Sequence, residues 1–249
     1  MLEELNMSKT VGGLIASWNF FGYLCGSLLS ILPFFKKKVK LVFFISIIVS
    51  LMTTLIMSFH DNITFFIVVR FLSGLSSAFV LIFGTSLILP SIQAFGKKSL
   101  STAHFMGVGL GIVLSSILVS VLGSLGFEWN ELWIGVTILS IILAIPIFIN
   151  TPDESIISTT KVTSNVKNNL GFTLITIAYG LYGFGYVVLG TFISAMARET
   201  AGLESTEFYV WLLVGLAGIP MVIFWPWFGK KIGNDIALFF ACEIGRAHV

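Results

Sequence analysis

Apolar residues in this chain neither alternate with polar ones at the period of a strand nor narrow to one stripe of a surface helix; they run on without a break. Between charged positions, uncharged stretches cover 10–35, 41–60, 71–96, 99–127, 132–152, 168–197 and 208–229. A helix needs about 20 mostly apolar residues to cross hydrocarbon, and every stretch reaches that length, so the pattern predicts seven spanning helices. The third begins near Ile63, because Arg70 interrupts an apolar run that Asp61 and Asn62 introduce. An eighth run, Ile236 to Cys242, stops after seven residues, too short to cross. Transmembrane strands would alternate over segments of about ten residues, and no such alternation is found. The opening residues, Met1 to Met7, carry Glu3 and Glu4 where a cleavable signal would be basic.

Composition turns this pattern into a statement about solvent. Of 249 residues 56% are apolar and only 10% charged, and the mean hydropathy is +1.00. A soluble domain carries about 25% charged residues, so a water-facing surface cannot be assembled and the surroundings must be lipid. A disordered chain and a secreted disulfide scaffold are excluded, as is a nucleic-acid binder, whose basic face needs more than 14 Lys and Arg. Cys25 and Cys242 are far apart in apolar runs, so no disulfide framework, metal cluster or organic cofactor is implied. If loops alternate sides, one set holds Lys36, Lys37, Lys38, Lys40, Lys97, Lys98, Lys161, Lys167, Lys230 and Lys231, and the other only Lys9 and Arg198. Cytoplasmic loops retain Lys and Arg, which puts the basic set inside and Met1 outside. An exported start of this kind leads to the expectation of a further helix upstream.

An internal repeat leads to the same expectation. Shifting the chain by 193 residues superimposes Trp18 on Trp211, Gly22 on Gly215, Pro33 on Pro226, Phe35 on Phe228, Lys37 on Lys230 and Lys38 on Lys231. Chance would give roughly two such identities in a segment of this composition. Parallel repeats of six helices are a known transporter plan, and the shift leaves room for six spans. The helix at 170–197 then has its counterpart ahead of residue 4. The chain is accordingly expected to hold helices two to six in residues 1–150, a polar cytoplasmic linker at 151–169, and helices seven, eight and part of nine in 170–242. Residues 243–249, Glu-Ile-Gly-Arg-Ala-His-Val, read as a non-native tail.

Four segments carry a family resemblance: Trp18–Gly26 (WNFFGYLCG), Arg70–Leu89 (RFLSGLSSAFVLIFGTSLIL), His104–Ile112 (HFMGVGLGI) and Ala178–Tyr186 (AYGLYGFGY). They resemble the major facilitator superfamily, and within it the YbfB/YjiJ type. The resemblance implies an all-α integral membrane protein, a twelve-helix bundle of two six-helix halves. It implies a secondary transporter of a small solute in the bacterial inner membrane; proton coupling is a hypothesis that rests on the resemblance alone, and a monomer is the expected state. Lys36 to Lys40 resemble the superfamily's basic loop signature without its acid and glycines. Arg70 with Gly74 and Ala78 resembles the fourth-helix pattern linked to coupling, and Gly107, Gly109 and Gly111 the glycine-rich fifth-helix motif, without its proline.

Read residue by residue, Arg70 is the one charge deep within a complete span, roughly 12 Å from the outer face at 1.5 Å per residue. A buried guanidinium faces a cavity, a carboxylate or an anionic solute; the bland alternative is that it snorkels outward or binds backbone carbonyls. Tyr179, Tyr182 and Tyr186 share one helix face and offer hydroxyls to a solute, while Gly183 and Gly185 among them permit bending. Aromatic packing is the competing account. Asn19 near mid-span needs a partner for its amide, either a ligand or another helix. Gly22, Gly26, Gly74, Gly107, Gly109 and Gly111 are candidate packing or gating positions, with Gly107 and Gly111 in a G-x-x-x-G spacing. His104 reads as a solvated interfacial histidine or a proton relay, and Trp129, Trp133, Trp211, Trp225 and Trp227 as interfacial anchors. An integral membrane enzyme would need clustered acids, histidines or a nucleophile with its base, which are missing. A channel would show a pore loop or charged ring; a channel or a scaffold remains the rival to a carrier.

Overall fold

A computed structural model describes residues 4–94, 96, 100–152, 170–203 and 206–246. The expected linker beyond Pro152, Lys97, Lys98 and the last three residues lie outside the described residues. The described elements are helices: α1 Lys9–Leu29, α2 Pro33–Lys36, α3 Val39–Ile56, α4 Ile63–Ala94, α5 Leu100–Ser124, α6 Trp129–Asn150, α7 Leu170–Glu199, α8 Glu207–Ile232 and α9 Asn234–Arg246.

Six of them, α3 to α8, are long and apolar enough to cross a membrane among the described residues. The seventh expected span, α1, has the length but not the apolarity, because Gly12, Gly13, Ser17, Asn19, Gly22, Gly26 and Ser27 dilute it. It also ends earlier than the uncharged stretch at 10–35. Pro33 pushes the preceding residue out of the helical region, and Leu32 sits at ψ 136° as the start of the short α2.

Polar punctuation sets the helix starts. The Ser8 hydroxyl accepts from Val11 N at 3.3 Å, and Asn62 Oδ1 accepts from Thr64 N at 2.8 Å and Phe65 N at 3.2 Å. Glu128 and Glu131 form a capping box at α6. Gly233, at φ 96°, breaks α8 from α9 in a conformation that disfavours any residue with a Cβ. Inside the spans, hydroxyls turn back onto their own helix. Ser46 donates to Val42 O, Ser86 to Ile82 O and Thr137 to Trp133 O, at 2.7, 2.7 and 2.8 Å. This satisfies polar groups that lipid cannot.

Tie points between helix ends give the order in space. Trp129 N donates to Glu4 at 3.1 Å, Lys9 pairs with Glu199, and Phe66 meets Trp129 edge-on. The starts of α1, α4 and α6 and the end of α7 therefore share one end of the bundle. At the other end Lys40 Nζ donates to Thr151 O at 3.1 Å. There α8, antiparallel to α5 through Ile219 against Gly109 and Gly215 against Val113, brings Lys230 and Lys231 to the end that holds Lys36 to Lys40.

Two apolar clusters form the interior. Phe43, Ile47, Phe79, Phe83, Leu87 and Ala144 join α3, α4 and α6, and Ile15, Met57, Phe66 and Val69 join α1 to α4. Large apolar side chains elsewhere face outward, as they do where the medium is itself apolar. The tightest seam is α1 against α4. A Cβ on Gly74 would stand 1.9 Å from Asn19 O, one on Gly22 2.0 Å from Phe71 O, and one on Gly26 2.7 Å from Leu75 O. Only hydrogen fits at these positions, so main chain touches main chain.

The repeated residues do not repeat their partners. Gly22 meets α4 whereas Gly215 meets α5, and α1 breaks before Pro33 whereas α8 continues through Pro226.

Candidate functional site

A cavity of about 270 Å³ opens between α1, α4 and α7, lined by Lys9, Gly12, Gly13, Ile15, Ala16, Met57, Arg70, Thr191, Phe192 and Ala195. To its wall α1 contributes Gly12, Gly13 and Ala16; a Cβ on Gly13 would come within 3.2 Å of the Phe192 ring. Arg70 is delivered to it by the Asn62 cap, which fixes the start of α4 and sets the side chain two turns below that end.

Arg70 is held by an unusual set of neighbours. Its Nε is buried and has no hydrogen-bond partner, and its guanidinium carbon lies 4.7 Å from the centre of the Trp133 ring on α6. Among the described residues no carboxylate pairs with it, and no acidic side chain lines the cavity. Stacking on an indole face supports a weakly hydrated cation without neutralising it. The site thus keeps a net positive charge in apolar surroundings.

The second cation of the cavity is committed elsewhere. Lys9 Nζ pairs with Glu199 at the end of α7, both side chains exposed. Thr191 spends its proton on Val187 O at 2.7 Å, which leaves its oxygen as an acceptor. Of the two cations of the cavity, Lys9 is balanced by Glu199 although its ammonium keeps further N–H groups, and Arg70 is the one left unbalanced among the described residues.

The other residues singled out in the sequence lie apart. Tyr179, Tyr182 and Tyr186 are 76%, 56% and 56% exposed on α7 and do not line this cavity. Gly183 and Gly185 have nothing within 4 Å of a Cβ position, and the same is true of Gly107 and Gly111. The glycine of α5 that touches a neighbour is Gly109, whose Cβ position lies 3.1 Å from Gly215 O; the reciprocal distance from Gly215 to Gly109 O is 3.0 Å. Asn19 meets α4 through its main-chain carbonyl, and its amide makes no hydrogen bond among the described residues. His104 is not simply solvated: its Nε2 is 3.1 Å from Thr85 Oγ1, joining α5 to α4.

Trp133, Lys9, Thr191 and Phe192 were not marked by sequence as site residues, Trp133 being read only as an anchor. The signal was depth. Arg70 and Trp133 both lie near the start of their helices, and α4 and α6 start at the same end. A second, more polar cavity of about 330 Å³ lies between α5 and α8, lined by Ser116, Ser120, Ser124 and Tyr209 with three apolar neighbours. No group of His, Cys, Asp or Glu suited to a metal occurs among the described residues.

Compared with known proteins, residues 1–245 match the family model described as uncharacterised MFS-type transporter YbfB. No match is found among curated proteins or among solved structures. Long apolar helices, glycine seams between them and a family match over nearly the whole chain agree: this is a multi-pass membrane protein that belongs to the YbfB family of major facilitator superfamily transporters.

Proposed function

We propose that the chain is part of a secondary active transporter that moves a small organic solute by alternating access, in a bundle of two six-helix halves. Residues 1–150 belong to the first half and 170–242 to the second, with 151–169 as the linker. On this reading α1 and α3 to α8 are helices two to eight, α1 crossing despite its modest apolarity, and α9 begins helix nine. The observation that carries the reading is the cavity shared by α1 and α4 of one half and α7 of the other, with Arg70 in its wall. A site between halves is exposed to one side at a time when the halves rock. The Gly109–Gly215 contact supports this, because a seam of small residues lets α5 and α8 stay close while they tilt.

In this account Arg70 holds the solute or couples it to protons, the basic loops are cytoplasmic, the membrane is the bacterial inner membrane, and the protein works as a monomer without cofactor or metal. Tyr179, Tyr182 and Tyr186, exposed on α7, face the solute path when the halves close. Proteoliposome flux tests the reading. Saturable uptake stimulated by solute on the opposite side supports a carrier, whereas flux that rises linearly without saturation indicates a channel. Identical rates with and without an imposed pH gradient refute proton coupling.

A further inference from the structure

The geometry points to a specific class of occupant for the α1–α4–α7 cavity: a small monocarboxylate with an apolar body, its carboxylate on Arg70. This deepens the carrier reading and rests on it for the meaning of the site as a transport site, but not for the binding itself.

Charge sets the first limit. Arg70 is the one cation of the cavity that no anionic side chain balances among the described residues, since Lys9 is paired with Glu199. A single negative charge makes the cavity neutral. A dianion leaves one charge uncompensated in a low dielectric, and a neutral ligand leaves the guanidinium so. The planar fork of a guanidinium matches the two oxygens of a carboxylate, and within the described residues the group makes no ion pair; its Nε is enclosed and makes no hydrogen bond.

Lining chemistry sets the second. Ile15, Met57, Phe192 and Ala16 present hydrocarbon and an aromatic ring, and Thr191 offers an acceptor oxygen only. A phosphate, with more than one charge to balance at neutral pH, finds one unbalanced cation. An apolar body fits the rest. The volume of about 270 Å³ lies just under the range of ligand pockets, roughly 300 to 1,000 Å³, and suits a body about the size of one ring.

Benzoate is the probe, with benzamide as its neutral isostere and inorganic phosphate as the polar anion. The full chain in phosphatidylcholine nanodiscs is titrated with each, reading tryptophan emission and the unfolding temperature. Benzoate is expected to give a saturable change in both, and benzamide and phosphate to bind weaker by roughly tenfold or more. Trp133→Phe should remove much of the emission change but keep the thermal shift. Arg70→Gln should abolish both, and Arg70→Lys should retain a weakened benzoate shift, which guards against a variant that merely fails to fold. Benzamide equal to benzoate, phosphate equal to benzoate, full benzoate binding in Arg70→Gln, or no response to benzoate overturns the assignment. Loss of the benzoate response in phosphatidylglycerol nanodiscs also overturns it, because a lipid phosphate then holds the site. The two readings fail separately. Saturable counterflow of a neutral solute without benzoate binding removes the carboxylate and keeps the carrier, and benzoate binding without saturable flux does the reverse.

Discussion

The guanidinium of Arg70 rests on the indole of Trp133, 4.7 Å from carbon to ring centre, and this contact couples α4 to α6 behind the cavity. A cation on an aromatic face gains about 0.5–2 kcal/mol depending on desolvation. A double-mutant cycle of Trp133→Leu and Arg70→Met, read by thermal unfolding in nanodiscs, should return a coupling of that size, with Trp133→Phe losing less than Trp133→Leu. Additive losses would show that the two side chains are merely adjacent.

Gly74 and Gly107 are both glycines of long apolar helices, yet they should respond oppositely. Gly74→Val places carbon where Asn19 O already stands, so α1 must leave α4, and folded monodisperse protein should be lost. Gly107→Ala meets nothing within 4 Å and should hold or raise stability by up to about 1 kcal/mol through helix propensity. Size-exclusion profiles and unfolding temperatures of the pair test this; equal behaviour would contradict the seam.

Gly109→Ala adds a carbon 2.8 Å from Ile219 Cγ1 and 3.1 Å from Gly215 O, a clash that small shifts relieve. The variant should insert and fold but exchange solute more slowly, as should Gly215→Ala. Initial counterflow rates, normalised to folded protein, check this. Rates equal to the parent chain would mean that α5 and α8 do not move along that contact.

Sidedness is tested by labelling. With Cys25 and Cys242 replaced by Ser, Leu125→Cys, at an exposed position, should react with a membrane-impermeant maleimide in intact cells, and Lys37→Cys only after permeabilisation. The opposite pattern would invert the orientation inferred from the basic loops.

Much of this was legible because lipid imposes simple rules. Uninterrupted apolar length marked α3 to α8, and Asp61 with Asn62 marked where α4 begins. The break before α2 needed Pro33 to be read as an interruption rather than as part of one span. The family followed from local strings such as those around Trp18 and Arg70. What sequence could not supply was the pairing of faces. Gly107 and Gly111 carry the familiar spacing, but the face turned to α8 is that of Gly109. Arg70 was visible as a costly charge, whereas its neighbours came from α6 and α1, remote in sequence, and Trp133 looked like any interfacial indole. The repeat aligned Gly22 with Gly215 without revealing that each meets a different neighbour.

The Lys9–Glu199 pair spans the cavity mouth between α1 and α7 with both side chains exposed, so it should add under about 1 kcal/mol to stability. Lys9→Met or Glu199→Gln should lower the unfolding temperature by no more than a degree or two, with the difference shrinking in high salt. A large loss independent of salt would show that the pair supports the fold.

Alternating access predicts two shapes, and paired spin labels measure them without knowledge of the solute. One pair, at Met7 and Thr200, reports the end where α1 starts and α7 ends, and another, at Lys37 and Lys230, reports the opposite end. Pulsed dipolar spectroscopy in nanodiscs should return two distance populations for each pair, with conditions that lengthen one pair shortening the other. A single unchanging distance at both ends under every condition would contradict the carrier account.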